Sequence, residues 1–274
     1  MMCRTYGVTR GGFYSRQARG PSARATNDGL MAEHVAGAFL QGRGLYGSPR
    51  VTHQLHQNGI GVGRRRVARL MRLAGLQGHC ARLYRRSRVG QRAFYRSVPN
   101  VQRNLALTAP NQVWVGDVTY VRVGGRWRYV ATVMDKYSRR ILAWSLGRNR
   151  DAALTRRALQ NAVRKRKPPQ GVYFHTDRGI EYSAVDLRHS LARHGFVQSM
   201  NRPGKMNDNA HMESFFHSLK TERLFGITFH SADALRTELL RYIRFYNQER
   251  LHSSLNYLPP AVFERQLPNH ASVN

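Results

Sequence analysis

The sequence predicts a small all-α helix-turn-helix domain followed by an α/β domain, a mixed sheet flanked by helices on both faces. Three observations lead there. Two short helical patterns separated by a turn lie between residues 26 and 78, the second with a strongly basic face. After Asn111 the pattern becomes strand, turn, strand, turn, strand. These strands then give way to a helix, a further strand and a set of helices, an order suited to a mixed sheet.

Residues 1–25 (MMCRTYGVTRGGFYSRQARGPSARA) are rich in Arg, Gly and Ser without a clear period, and are expected to be a poorly ordered basic arm. In the 26–78 domain, Ser48-Pro49 reads as an N-cap followed by proline at the first helical position, with Val51 and Leu55 one turn apart and Gly59 ending the segment. The next helix begins near Gly63 and ends at Gly75. Val67, Leu70, Met71 and Ala74 share one face, and Arg65, Arg69 and Arg72 the other. With Arg64 and Arg66 this makes five arginines in nine residues, a basic recognition-type helix expected to contact DNA, although an arginine face can also be merely solvated.

Residues 79–110 combine arginine with Tyr84, Phe94 and Tyr95 and end at Ala109-Pro110, which suggests an extended basic linker. The α/β domain is expected over 111–267, with a tail at 268–274. Its strands are Val113–Arg122, Tyr129–Met134, Ile141–Leu146 and Val172–Asp177. Gly124-Gly125 makes the first turn a hairpin, and Asp135–Arg140 makes the second. Leu154, Ala158, Leu159, Ala162 and Val163 form a helix stopped at Lys165–Pro169. Further helices are expected near 185–194, from Asn207-Asp208-Asn209 to about Phe225, and over Asp233–Asn247.

Composition narrows the partner. The 274 residues carry 45 Lys and Arg against 15 Asp and Glu, a net charge of +30 and a pI near 11.5. A polyanion is the natural ligand for such a surface, because neutralising phosphates releases condensed counterions. Residues 1–110 have 19 Arg, no Lys and only Asp28 and Glu33, a net of +17; residues 111–274 carry +13, so both parts are expected to touch nucleic acid. Cys3 and Cys80 are too few for a zinc site or a disulfide framework. No apolar run reaches membrane-spanning length and no signal-peptide core is seen in the first residues, so the protein is expected in the cytoplasm with the DNA.

Among so few acids, three stand out. Asp117 interrupts the apolar strand QVWVGDVTYV, where an ionised carboxylate needs a cation, a hydrogen-bond network or a metal. Asp177 ends the fourth strand in HTDRG, at the carboxyl edge where sites in such sheets lie. Glu213 sits one turn into NDNAHMESFFHSLKTE, beside the stripe of Met212, Phe215, Phe216 and Leu219, sharing a face with His217 and Lys220. Three acids from three elements can hold paired divalent ions, about 3.5–4 Å apart in two-metal sites, that activate an oxygen nucleophile and stabilise a leaving oxygen. Lys220 would then reach DNA beside them. The plainer readings are a structural Asp117 bonded to Thr119 or an arginine, Asp135 as a turn acid paired to Arg139, His175 as a packed histidine, Trp114 and Trp144 as core, and Asn207 and Asn209 as caps.

These motifs carry a resemblance. Through GLYGSPRV, RRRVARLMRLAGL, PNQVWVGDVTYV, VMDKYSRRILAW, FHTDRG, NDNAHMESFFHSLKTE and YNQERLHSSLNYLPP, the chain closely resembles the second-frame (OrfB) transposases of IS-three family bacterial insertion sequences. The resemblance runs from about residue 4 to 265. It implies an RNase H-like, retroviral-integrase-like catalytic core whose Asp-Asp-Glu triad is Asp117, Asp177 and Glu213, with 35 residues between the last two and Lys220 seven after the glutamate. It further implies metal-dependent nicking of element ends and strand transfer with two Mg²⁺ ions, for which Mn²⁺ substitutes. The implied partners are terminal inverted repeats and target DNA, a homo-oligomer assembled on DNA, and an upstream-frame (OrfA) product joined by frameshifting. Gly63 replaces a common Ser, Ile180-Glu181 a commoner Ser-Gln, and Leu251 a common Pro. The competing expectation is a DNA-binding remnant or regulator that keeps the fold and no longer cuts.

Overall fold

The computed structural model describes residues 7, 9–18, 22–78, 98–202 and 206–267. The chain divides into two compact units, Met1–Ala81 and Arg82–Asn274.

The first unit contains α1 (Arg10–Ala18), α2 (Ala23–Gln41), α3 (Ser48–Gln57) and α4 (Arg64–Leu73). α1 falls in the stretch expected as an arm, and α2 adds a helix before the expected pair. Gly29 and Gly37 weaken its local helical signal, but packing supplies what propensity lacks. Val35 and Ala38 of α2 are buried, as are Val51 and Leu55 of α3 and Val67, Leu70 and Met71 of α4. The N-cap of α3 is Gly47, not Ser48; Ser48 is the first helical residue, and its carbonyl accepts Thr52 Oγ1 at 2.7 Å. Gly63 caps α4 as the sequence predicts.

In the second unit β1 (Val113–Val123), β2 (Arg126–Asp135) and β3 (Ile141–Gly147) are followed by α5 (Ala152–Arg166) and β4 (Tyr173–Thr176). Next come α6 (Ile180–Ser183), α7 (Val185–Arg193) and β5 (Val197–Met200), then α8 (Ala210–Leu219), α9 (Ala232–Gln248) and α10 (Pro260–Gln266). The sheet order is β3-β2-β1-β4-β5, with β1, β2 and β3 antiparallel and β4 and β5 parallel to β1. Sequence reading missed β5, a four-residue edge strand containing Gln198 and Ser199, too short for its period to register.

The core between sheet and helices joins Trp114, Ala131, Val133 and Phe174 to Leu154, Ala158 and Leu159 of α5 and Leu187 and Leu191 of α7. Trp114 is core, as expected, whereas Trp144 is half-buried with the Arg236 guanidinium 5.9 Å from its ring. α5 starts where Asp151 accepts Leu154 N at 2.8 Å and stops at left-handed Lys167. Most of the expected linker, residues 79–97, lies outside the described residues. Its end belongs to the second unit: Val101 N donates to Ser199 Oγ at 3.1 Å, and buried Gln102 donates to the Asp208 carbonyl at 2.7 Å.

Candidate active site

Strand register brings two of the three acids together. β1 and β4 run parallel, with Val113 opposite Tyr173 and Gly116 opposite Thr176. One step further along each chain stand Asp117 and Asp177, where hydrogen-bonded strands lie about 4.8 Å apart. Gly116 permits this pairing: a Cβ there would stand 2.8 Å from the Phe174 ring.

Asp117 is half-buried, and its Oδ1 accepts the backbone N–H of Val118 at 2.7 Å. Among the described residues neither Thr119 nor a salt-bridging arginine compensates it directly. Loss of hydration, and then repulsion from Asp177, push its carboxyl up to about 8 despite the Val118 bond and the field of Arg150. Across the ladder Thr132 faces Asp117, and its buried Oγ1 has no hydrogen-bond partner among the described residues. Asp177 Oδ1 accepts Gly179 N at 3.0 Å, which folds the strand end into a turn.

A fourth acid, Glu181, lies at this cluster. Its side chain is 3% exposed, and Arg150 Nε donates to Oε1 at 2.6 Å; the same guanidinium approaches Asp177 at 3.6 Å. The Glu181 carboxyl folds back so closely that a Cβ on residue 179 would stand 2.6 Å from it, which explains Gly179. Sequence reading noted Glu181 only as a departure from Ser-Gln and passed over Arg150. The signal was the acid itself, four residues after Asp177 in a turn.

α8 lies against β1. Buried Asn209 occupies the N-cap position expected of it, but its side chain makes no capping bond; it donates to the Gly116 carbonyl at 3.2 Å, leaving its Oδ1 without a partner among the described residues. Glu213 follows one helical turn later, exposed, with its carboxyl raised by desolvation. After Leu219 the helix widens into a π-turn over Lys220–Leu224. Burial lowers Lys220, while the field of Asp117 opposes that shift, so this cation lies within electrostatic reach of the first aspartate. The π-turn is anchored by buried Glu222, which receives Arg250 at 2.8 and 2.6 Å and the Tyr242 hydroxyl at 2.9 Å.

The other singled-out residues are structural. His175 shares hydrogen bonds with Ser199 Oγ (2.9 Å) and Asn201 Oδ1 (2.7 Å), and burial lowers it to about 4. Asp135 accepts from Asn111 N, Tyr137 N and Ser138 N, and no salt bridge joins it to Arg139. Asn207 lies in a 3₁₀ turn, Met206–Asn209.

In the first unit the five arginines of α4 divide. Arg66 and Arg69 are tied to Asp28 of α2 at 2.8 and 2.5 Å, with Arg66 also donating to Asn27. Arg64, Arg65 and Arg72 are exposed. An open groove of about 720 Å³ lies between Asn27 and Arg65, Arg66 and Arg69.

Among the described residues no three His, Cys, Asp or Glu side chains gather closely enough to hold a metal ion. The donor chemistry nonetheless suits one. Asp117 and Asp177 are adjacent carboxylates, and burial together with Asp177 raises the carboxyl of the first; hard oxygen donors of this kind are what Mg²⁺ takes.

Residues 26–84 match the HTH-like domain, and residues 108–206 and 194–260 match two models of the integrase core domain. The chain is 36% identical over 266 residues to the insertion element IS600 uncharacterized 31 kDa protein of Shigella sonnei, covering 97% of this chain and 98% of that one. It is also 36% identical over 272 residues to the transposase InsF for insertion sequence IS3A of Escherichia coli (strain K12), covering 97% and 93%. The fold is similar to a chain in the cryo-electron microscopy structure of the simian T-cell lymphotropic virus intasome in complex with PP2A regulatory subunit B56 gamma, with a TM-score of 0.52 at 14% identity over 84% of this chain and 74% of that chain. The helical unit, the integrase-like sheet and full-length relatedness at this level make the chain a member of the IS3-type insertion-sequence transposase family.

Proposed function

We propose that this protein is a DNA transposase that nicks the ends of an insertion sequence and joins the freed 3′-hydroxyl to a second phosphodiester. Asp117, Asp177 and Glu213 are assigned as the catalytic acids. The observation that carries this reading is the pairing of Asp117, midway along β1, with Asp177, just past the carboxyl end of the adjacent parallel β4, where burial and the neighbouring Asp177 both raise the Asp117 carboxyl.

Two Mg²⁺ ions, or Mn²⁺ in their place, would be held by Asp117 and Asp177, with Glu213 completing the set from the α8 face one turn beyond the Asn209–Gly116 contact. When bound, they supply the positive charge that lets an oxygen nucleophile attack phosphorus and stabilises the departing oxygen. The chain's own residues do the rest. Parallel register fixes the separation of the aspartates, Glu181 holds the Arg150 guanidinium beside Asp177, and the Glu222–Arg250 pair holds the turn that carries Lys220. Arg64, Arg65 and Arg72 face solvent for the phosphates of the element's terminal repeats, and Arg66 and Arg69 brace α4 against α2 while edging the groove beside it. Assembly as an oligomer on DNA, fusion to an upstream-frame product and a nucleoid location in the cytoplasm complete the reading. No helix among the described residues is long and apolar enough to cross a membrane.

The test is Glu213→Gln assayed with end DNA and Mg²⁺. Nicking is expected to disappear while DNA affinity and its salt dependence stay at the wild-type level. Equal nicking by both proteins would falsify the assignment of Glu213, and nicking by neither would favour a binder that does not cut.

A further inference from the structure

The β1–β2 hairpin carries two large aromatic side chains in solvent: Tyr120 is 54% exposed and Trp127 48%. Arg122 stands opposite Trp127 in the ladder, and Tyr120 lies two residues before Arg122, so all three share one face of the ribbon. Towards the strands' other ends that face carries Val118 and Ala131 to the core. The hairpin tip thus presents aromatics where the core does not use them. The rings meet edge to face, with centroids 5.1 Å apart and planes at 84°.

Each ring is bracketed by a cation. Lys220 Nζ lies 4.7 Å from the centre of Tyr120, and the Arg122 guanidinium 5.7 Å from that of Trp127. Between Val118 and Val133 the hairpin has Arg122, Arg126 and Arg128 and no acid. An apolar protein partner would not call for this density of positive charge beside the rings. A nucleotide supplies both complements, a flat π-face for the aromatics and a phosphate for the cations. Lys220 also fixes where that nucleotide belongs, because it lies over Tyr120 and within the field of Asp117.

We infer that Tyr120 and Trp127 form a stacking ledge for an unpaired base of the DNA strand next to the phosphodiester presented at Asp117 and Asp177, with Lys220 and Arg122 on its flanking phosphates. The location of that phosphodiester rests on the proposed transposase reading, whereas the ledge is tested by binding without metal or cleavage.

The experiment uses the full chain in EDTA with two fluorescent probes, a blunt duplex and the same duplex ending in three unpaired nucleotides, one of them 2-aminopurine. Trp127→Ala is expected to weaken binding of the frayed duplex about tenfold, in the range for loss of one base–aromatic stack. The blunt duplex should bind as before, the salt slope should not change, and the 2-aminopurine quenching seen with wild type should be lost. Trp127→Phe, which keeps an aromatic face, should restore most of the quenching. Arg122→Ala should lower affinity for the frayed probe and flatten its salt dependence. Equal loss on both probes, or undiminished quenching in Trp127→Ala, overturns the ledge. So does a change in sedimentation of the free protein with DNA binding intact, which would make the surface a contact between copies. Failure of the ledge leaves the Glu213→Gln cleavage test untouched, and failure of that test leaves base stacking measurable.

Discussion

Arg150 donates its Nε to Glu181 at 2.6 Å, and this pair sits beside Asp117 and Asp177 rather than on a remote surface. The arginine side chain is 42% exposed and the glutamate 3%, so the two ends are solvated very unequally. Removing the arginine strands a buried carboxylate beside Asp117 and Asp177, whereas removing both charges strands nothing.

Arg150→Met is therefore expected to destabilise the metal-free protein by about 2 kcal/mol, a value discounted for the arginine's solvent screening. The Arg150→Met/Glu181→Gln double variant should recover at least half of that loss. Urea midpoints of the four proteins in a double-mutant cycle measure it, and additive losses would show that the pair is not coupled.

Mg²⁺ should stabilise the wild-type chain by mass action, by about 2.7 kcal/mol at a hundred times its dissociation constant. Asp117→Asn should abolish this increment and also raise stability in EDTA, since it removes the carboxylate that burial and Asp177 disfavour. Thermal unfolding with and without Mg²⁺ reads both effects. A wild-type-sized Mg²⁺ increment in Asp117→Asn would place the ion elsewhere.

The buried Glu222–Arg250 pair underlies the π-turn that carries Lys220. Arg250→Met is expected to cost about 3–5 kcal/mol by leaving Glu222 unpaired in the core. Glu222→Gln/Arg250→Met should be milder, and a denaturant titration ranks the two variants. An Arg250→Met loss below the double variant's would mean that Glu222 does not need its cation.

Glu264 supplies the pH dependence. Burial pushes its carboxyl up, but hydrogen bonds from Arg166, Ser138 and Arg140 outweigh that and hold it below the usual glutamate range. A depressed folded-state pKa gives stability that is present above the unfolded value of about 4.3 and is lost as pH falls through the folded one. Glu264→Gln should thus lower the urea midpoint at pH 7, by about 2 kcal/mol in stability, and its gap from wild type should narrow at pH 3. A gap between the two proteins that is the same at both pH values would remove the linkage.

Much of the architecture was legible locally. The β1–β3 meander announces itself through β-branched and aromatic runs and the Gly124-Gly125 turn, and α5 through the stripe from Leu154 to Val163. β5 was not legible, because four residues with Gln198 and Ser199 hold no period; pairing with β4 makes them a strand. α2 was missed because its glycines weaken the helical signal, and burial of Val35 and Ala38 accompanies its formation.

The sequence by itself determined the cast: a basic chain meant for a polyanion, two aspartates whose strand positions are anomalous for unpaired acids, and the helix that carries Glu213 and Lys220. Short-range patterns encode such facts, because propensity and periodicity act over a few residues. Tertiary structure alone decided the relations. Parallel register set Asp117 beside Asp177, a back-folded turn set Glu181 and Arg150 against them, and Asp28 drew Arg66 and Arg69 away from an undivided basic face. Each of these joins residues far apart in the chain through electrostatic and packing forces that act across space, which is why no window of sequence reveals them.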